Sequence, residues 1–228
     1  MYKFKKKLWN IIKEKQYLLN MFSNFYNILN FNKKKVKGNY NIIYRKGAFL
    51  KNTKIHISGD NNKILIGKES MLTDTYIHIV GNNNVIKIGE RVGIGKCDLW
   101  REDNYGKIYI GNNTTIISGH IACTENYGEI NIGEDCMFSH NVTFRNGDSH
   151  SIIDNQSNNR INYAKNIYIG DKVWIGENSC ILKGVTIKNE CIIATNAVVT
   201  KNSESNCILA GNPASIKKKN ITWVRERI

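Results

Sequence analysis

Between Asn166 and Thr200 every sixth residue is a branched aliphatic: Ile169, Ile175, Ile181, Ile187, Ile193 and Val199. Two places before each stands Ile167, Val173, Ser179, Val185, Cys191 or Ala197, all small or β-branched. At 3.6 residues per turn an α-helix cannot bring every sixth residue to one face, and a lone strand has no use for a period of six. A solenoid with flat faces six residues apart does. Each face is then a short strand with two inward residues, and each corner is a turn, where Gly170, Gly176 and Gly184 fall.

A longer repeat precedes it. The pattern IxIG recurs at Ile64–Gly67, Ile86–Gly89, Ile108–Gly111 and Ile130–Gly133, each glycine 22 residues after the last. Leu72, Ile94, Ile116 and Phe138 keep the same spacing, as do Ser70, Val92, Thr114 and Cys136. Three hexads make a coil of 18, so each of these coils carries about four extra residues at one corner. GDNN at 59–62, GNNN at 81–84, EDNYG at 102–106 and ENYG at 125–128 are the candidates. Stacked coils bury one aliphatic column that no single coil could bury alone. Gly133 to Gly170 spans 37 residues, and the excess is the polar, aperiodic stretch 145–166, expected as a loop leaving the scaffold.

Charge is concentrated at the ends. The net charge is +14; residues 1–37 hold ten lysines against one glutamate, and 213–228 hold five basic residues against one acid. A nearly neutral body argues against a nucleic-acid groove along the solenoid. Residues 3–31 read as an amphipathic helix carrying Leu8, Ile12, Leu19, Phe22, Tyr26 and Leu29. Such a helix either lies on an anionic membrane or packs on the solenoid or a neighbouring subunit. The KKKVKG run at 33–38 reads as a hinge. The expected organisation is a basic helical segment 1–38, a solenoid 39–212 with the excursion loop 145–166, and a tail 213–228. No stretch reaches membrane-span length, and no signal-peptide cleavage pattern is evident. The six cysteines form no CxxC pair, and Cys136 and Cys191 occupy inward positions, so they read as reduced core thiols of a cytoplasmic protein.

The order VTFRNGDSHSI, VWIG, ILKGVTI, VVTK and AGNPASIKKKNITW over residues 142–223 resembles the hexapeptide-repeat acyltransferases. It looks most like their branch that O-acetylates bacterial capsular and other surface polysaccharides, sialic-acid polymers included. The resemblance implies an all-β fold, a left-handed parallel β-helix, assembled as a homotrimer with sites between neighbouring subunits. It implies acetyl-coenzyme A as donor, a glycan hydroxyl as acceptor, and a catalytic histidine 24 residues before the VWIG tryptophan. Here those residues are His150 and Trp174.

Imidazole titrates near neutral pH, so a histidine can take the proton from an attacking sugar hydroxyl, an effect of roughly 10²–10⁴-fold. Parity turns Trp174 out of the core, beside inward Ile175. Asp148 and Asp154 are candidates to orient the imidazole. The resemblance puts the donor's pantetheine arm along backbone near Gly176, Glu177, Thr195 and Thr200, with Lys201, Lys217 and Lys218 toward its phosphates. The last coil departs from the family's IGAGSVV, reading IATNAVV at 193–199, so close-approach glycines are missing there. His120, His140, Arg160 and Lys183 are candidate acceptor contacts. His56 and His78, 22 residues apart with Trp100 one repeat on, read as outward-facing, a subunit interface or a solvated ladder. No histidine spacing matches a zinc site, and no metal is expected.

Two further classes remain open at this point: an N-acetyltransferase on an amino sugar or another small-molecule acetyltransferase, and a non-catalytic solenoid used for binding.

Overall fold

The computed structural model describes residues 15–228. Its strands stack in parallel, coil upon coil, in three rows that form the faces of a β-helix. The first face runs through Phe49–Lys51, Met71–Thr73, the leading parts of Gly93–Glu102 and Thr115–Cys123, then Met137–Phe138, Trp174–Ile175, Ile192–Ile193 and Cys207–Gly211. The second runs through Lys33–Lys37, Lys54–Ser58, Tyr76–Val80, the trailing parts of the two long strands, then Val142–Arg145, Cys180–Leu182 and Val198–Val199. The third runs from Ile42–Tyr44 to Thr186–Ile187.

Register follows the repeat. Ile64 pairs with Ile86, Ile86 with Ile108, and Ile108 with Ile130. All twelve inward residues read between 167 and 199 are buried, none more than 4% exposed. Cys97, Cys123, Cys136, Cys191 and Cys207 are buried free thiols, and burial pushes Cys136 up to about 12. The extra residues of the long coils build an amide ladder at the corner between the second and third faces. The side chain of Asn62 donates to Gly81 O and accepts from the N–H of Asn84; Asn84 donates to Asp103 O and accepts from Gly106 N–H. A turn whose amides would be orphaned by burial is thereby satisfied coil by coil.

The ends of the solenoid add to the sequence reading, and one expectation there is corrected. Lys33–Lys37 is no hinge: it is the first strand of the second face, pairing Lys35 with His56 and Val36 with Ile57. All five of its residues are exposed, so it has no inward pattern to read, and lysines suit the unpaired edge of a sheet. The helix Gln16–Leu29 packs on the solenoid, one of the alternatives read from the sequence, through Leu19 and Tyr26 of the apolar stripe together with Ser23 and Asn27, and leaves Phe22 and Leu29 exposed. Asn27 donates to Ala48 O and accepts from Leu50 N–H, acting as a surrogate strand on the first coil's open edge. Leu8, Ile12 and the KFKKK run lie outside the described residues. The tail 213–228 docks on the solenoid: Ala214–Lys219 turns back antiparallel on Cys207–Gly211, and Trp223 is buried, donating to Lys172 O at 2.8 Å. Among the described residues no helix is long and apolar enough to cross a membrane.

Candidate active site

The chain leaves the second face after Val142–Arg145 and re-enters the third at Ile167–Ile169. Between them the excursion loop folds into a narrow finger. Ile153 bridges Arg160, and Ile161 N–H donates to Ile152 O. Asp154 closes its tip, accepting from the N–H groups of Gln156 and Ser157 and from the Ser157 hydroxyl. Those bonds, Ser157's first, hold its carboxyl below the usual range. Asp154 is therefore a turn cap rather than an orienter of His150.

His150 stands exposed near the root of this finger. Its backbone is fixed from two sides: its N–H donates to Asp148 O at 2.7 Å, and its carbonyl accepts from Asn162 Nδ2 at 2.7 Å. Ser149 before it takes a left-handed φ of 63°, and its hydroxyl accepts from Arg145 at 2.9 Å. Asp148 does not reach the imidazole through any hydrogen bond of the structure. Its carboxylate accepts from Lys183 and from Asn162 Nδ2, and the Lys183 bond, with Asn162 adding to it, keeps the carboxyl ionised well below its ordinary range. Arg160 pairs with Glu125. Glu125 is itself seated by Arg101, whose fully buried guanidinium donates to Cys123 O, Asn104 O and Glu125 O. Arg160 and Lys183, expected against an acceptor, thus anchor the finger to the scaffold.

The remaining candidates divide between two corners. Trp174 lies on the first face, 38% exposed, its ring 6.2 Å from that of Trp223. At the corner that follows sit His140, Gly176, Glu177 and Thr195: Asn178 N–H donates to His140 O, and Asn196 N–H to Glu177 O. A Cβ on Gly176 would lie 2.6 Å from Thr195 N, so glycine is required for the close coil contact. Asn196 takes a left-handed φ of 58° in the departing IATNAVV corner, a conformation asparagine tolerates. Lys217 and Lys218 are exposed on the returning strand at the end of this same face. Thr200 and Lys201, exposed, follow the second face instead, at the corner from which the finger leaves two coils earlier. His120 is on the second face, one coil before the finger's root, in register with Thr143 and with its Nδ1 3.6 Å from Asp98.

On a single chain the candidates therefore fall into two groups: His150, Asp148, Asn162, Lys183, Thr200 and Lys201 at the corner after the second face, and Trp174, His140, Gly176, Thr195, Lys217 and Lys218 on or beside the first. Asn162, Glu125, Arg145 and Trp223 escaped the sequence reading. Arg101 was legible in principle, since it continues the inward parity of Cys97 and Leu99.

Residues 166–201 match the family model described as bacterial transferase hexapeptide (six repeats). The fold superposes on the crystal structure of the polysialic acid O-acetyltransferase OatWY with a TM-score of 0.81, at 34% identity over 86% of this chain and 92% of that one. For the polySia-specific acetyltransferase NeuO the TM-score is 0.80, again at 34% identity, over 86% and 89% of the two chains. In sequence, 91 residues are 44% identical to the polysialic acid O-acetyltransferase of Escherichia coli O1:K1 / APEC, and 94 residues are 37% identical to that of Neisseria meningitidis. Those matches span 30% and 44% of the length of these two curated relatives. The chain belongs to the hexapeptide-repeat transferases, and its fold is their left-handed parallel β-helix. Within that family its sequence and fold stand with the polysialic acid O-acetyltransferases.

Proposed function

We propose that the protein transfers an acetyl group from acetyl-coenzyme A to a hydroxyl of an acidic bacterial surface glycan, with His150 as general base. The observation that carries this reading is the finger itself. Two ion pairs and the Asn162 amide hold its root, and they leave the His150 imidazole exposed. In the step proposed, His150 takes the proton of the sugar hydroxyl as its oxygen attacks the thioester carbonyl. A backbone N–H stabilises the oxyanion, and the carbonyl re-forms as the thiolate leaves and is protonated. No covalent enzyme intermediate is involved.

The two groups, taken as half-sites, support a homotrimer in which the finger of one copy meets the Trp174 face of the next. Ile152, Ile153, Ile161 and Tyr163 are exposed on the finger, and Met71, Ile117 and Trp174 on the first face, as a subunit contact between them would need. Acetyl-coenzyme A then lies between copies along the Gly176–Thr195 corner, with Lys217 and Lys218 toward its phosphates and Lys201 within the second copy's share. The basic N-terminal segment, with Phe22, Phe25, Ile28 and Leu29 exposed on its helix, supports a cytoplasmic enzyme working at the inner face of a membrane.

Acetyl transfer to acidic bacterial glycans, followed by mass spectrometry of the product, tests the reading. His150→Ala is expected to lower kcat/KM by roughly 10²–10⁴-fold with folding unchanged. Equal activity of the two proteins on every acceptor would overturn it.

A further inference from the structure

The second face carries a column of outward side chains that the catalytic reading does not use. In register from coil to coil it reads Lys35, His56, His78, Trp100, Ala122 and Arg145. Six rungs at about 4.8 Å per strand make a strip of about 24 Å. Beside it runs Lys33, Lys54, Tyr76, Asp98, His120 and Thr143.

Of these side chains His78 and Ala122 are buried, and the others are partly or fully exposed. His78 stacks on Trp100 with ring centroids 3.8 Å apart and planes 17° apart. Tyr76 donates or accepts at His78 Nδ1 at 3.0 Å, and its ring meets that of Trp100 at 6.1 Å. At one end an open groove of about 670 Å³ is lined by Lys33, Lys34, Lys35, Lys54, Ile55, His56 and Tyr76. At the other end, Ala122 leaves a step between Trp100 and Arg145, and Arg145 holds Ser149, the residue before His150. The strip therefore begins in a lysine cluster, crosses an aromatic platform and finishes at the root of the catalytic finger.

We propose that this strip is a track for an acidic glycan chain, which lies along the solenoid axis and feeds a sugar hydroxyl to His150. Sugar rings offer apolar C–H faces to flat aromatic platforms and carboxylates to lysine and arginine, and the strip supplies cations at its two ends and aromatic rings between them. This inference rests on the proposed reaction for its direction, and its binding half can be tested apart from it.

The experiment compares wild type with the double variant Lys35→Glu, Lys54→Glu, both exposed and outside the catalytic groups. Long polysialic acid and a short sialic acid oligomer serve as probes. Binding is measured by titration calorimetry without donor, and transfer by steady-state kinetics. The variant should bind the long polymer roughly tenfold more weakly and raise its KM alike. Its kcat, and both constants for the short oligomer, should stay as in wild type. If wild type acetylates the polymer and the variant matches it on both probes, the track is overturned while the reaction stands. If wild type binds the polymer through these lysines but acetylates nothing, the reaction falls and the track stands. A changed oligomeric size in the variant would make this face a contact between copies and overturn the track.

Discussion

Lys183 donates a hydrogen bond to the carboxylate of Asp148, 35 residues earlier in the chain, and so ties the root of the excursion finger to the coil that follows it. Both groups are partly exposed, at 24% and 39%, so the pair itself contributes about 0.2–1 kcal/mol to global stability. Its consequence is local. With Asn162 it decides where the His150 backbone sits.

Asp148→Asn and Lys183→Met should therefore speed amide hydrogen exchange across residues 148–162 while leaving residues 64–132 as protected as before. Activity should fall with them, since a base displaced by an ångström loses much of its effect. The carboxyl's pKa is depressed in the folded state, so the pairing is complete above the unfolded value of about 3.9 and is lost as pH falls through the lower folded one. The finger should accordingly stay protected from neutral pH down to about 4 and loosen only below that. Unchanged exchange in both variants would show that the finger is held by something else.

The same pair marks where the sequence stops being informative. The inward residues from Ile167 to Val199 were legible because a period of six admits one kind of structure, and the structure buries every one of them. His150 stands out as the proposed base only through its spacing to Trp174, which carries the family resemblance. Parity says whether a side chain points in or out, but it does not say which of three faces carries it. Trp174 thus read only as outward, and the structure sets it on the first face while the finger leaves the second. Lys33–Lys37 escaped because an edge strand with five exposed residues has no hydrophobic period. Asn27 escaped because a polar residue buried to mimic backbone looks like an ordinary exposed one.

Trp223 gives a second test, of the returning C-terminal segment. It is 6% exposed, its indole N–H is bonded to Lys172 O, and it half-covers Trp174. Trp223→Ala should cost about 3–5 kcal/mol, the usual range for emptying a buried tryptophan site. Thermal melts would read the loss, and tryptophan emission should shift to the red as Trp174 is bared. A melt like that of wild type would mean the segment is not docked in solution.

Gly176 and Gly93 form a matched pair for the close packing of coils. A Cβ on Gly176 meets Thr195 N at 2.6 Å and Ile193 O at 2.9 Å, whereas one on Gly93 finds Thr115 Cγ2 at an ordinary 3.6 Å. Gly176→Ala should thus destabilise by about 1–3 kcal/mol, as overpacking does, and weaken coenzyme A binding at that corner. Gly93→Ala should leave both unchanged. Chemical unfolding with coenzyme A titration of the two variants checks this, and equal behaviour would remove the corner from the donor site.

His78 makes stability depend on pH. Its ring is 8% exposed, stacked on Trp100 and within 3.3 Å of the His56 Nδ1. Burial, with His56 adding to it and Glu102 opposing, lowers its pKa from the ordinary 6.5. As pH falls, the unfolded chain therefore takes up this proton before the folded one does. The contribution is whole above about 6.5 and is lost progressively down to the lowered folded value. Urea midpoints should accordingly drop between about pH 7.5 and about pH 5.5 in wild type. His78→Gln keeps a polar partner for Tyr76 without titrating, and it should show a shallower drop. If its slope equals that of wild type, the pH dependence belongs to other groups, and the buried imidazole stacked on Trp100 is not what sets it.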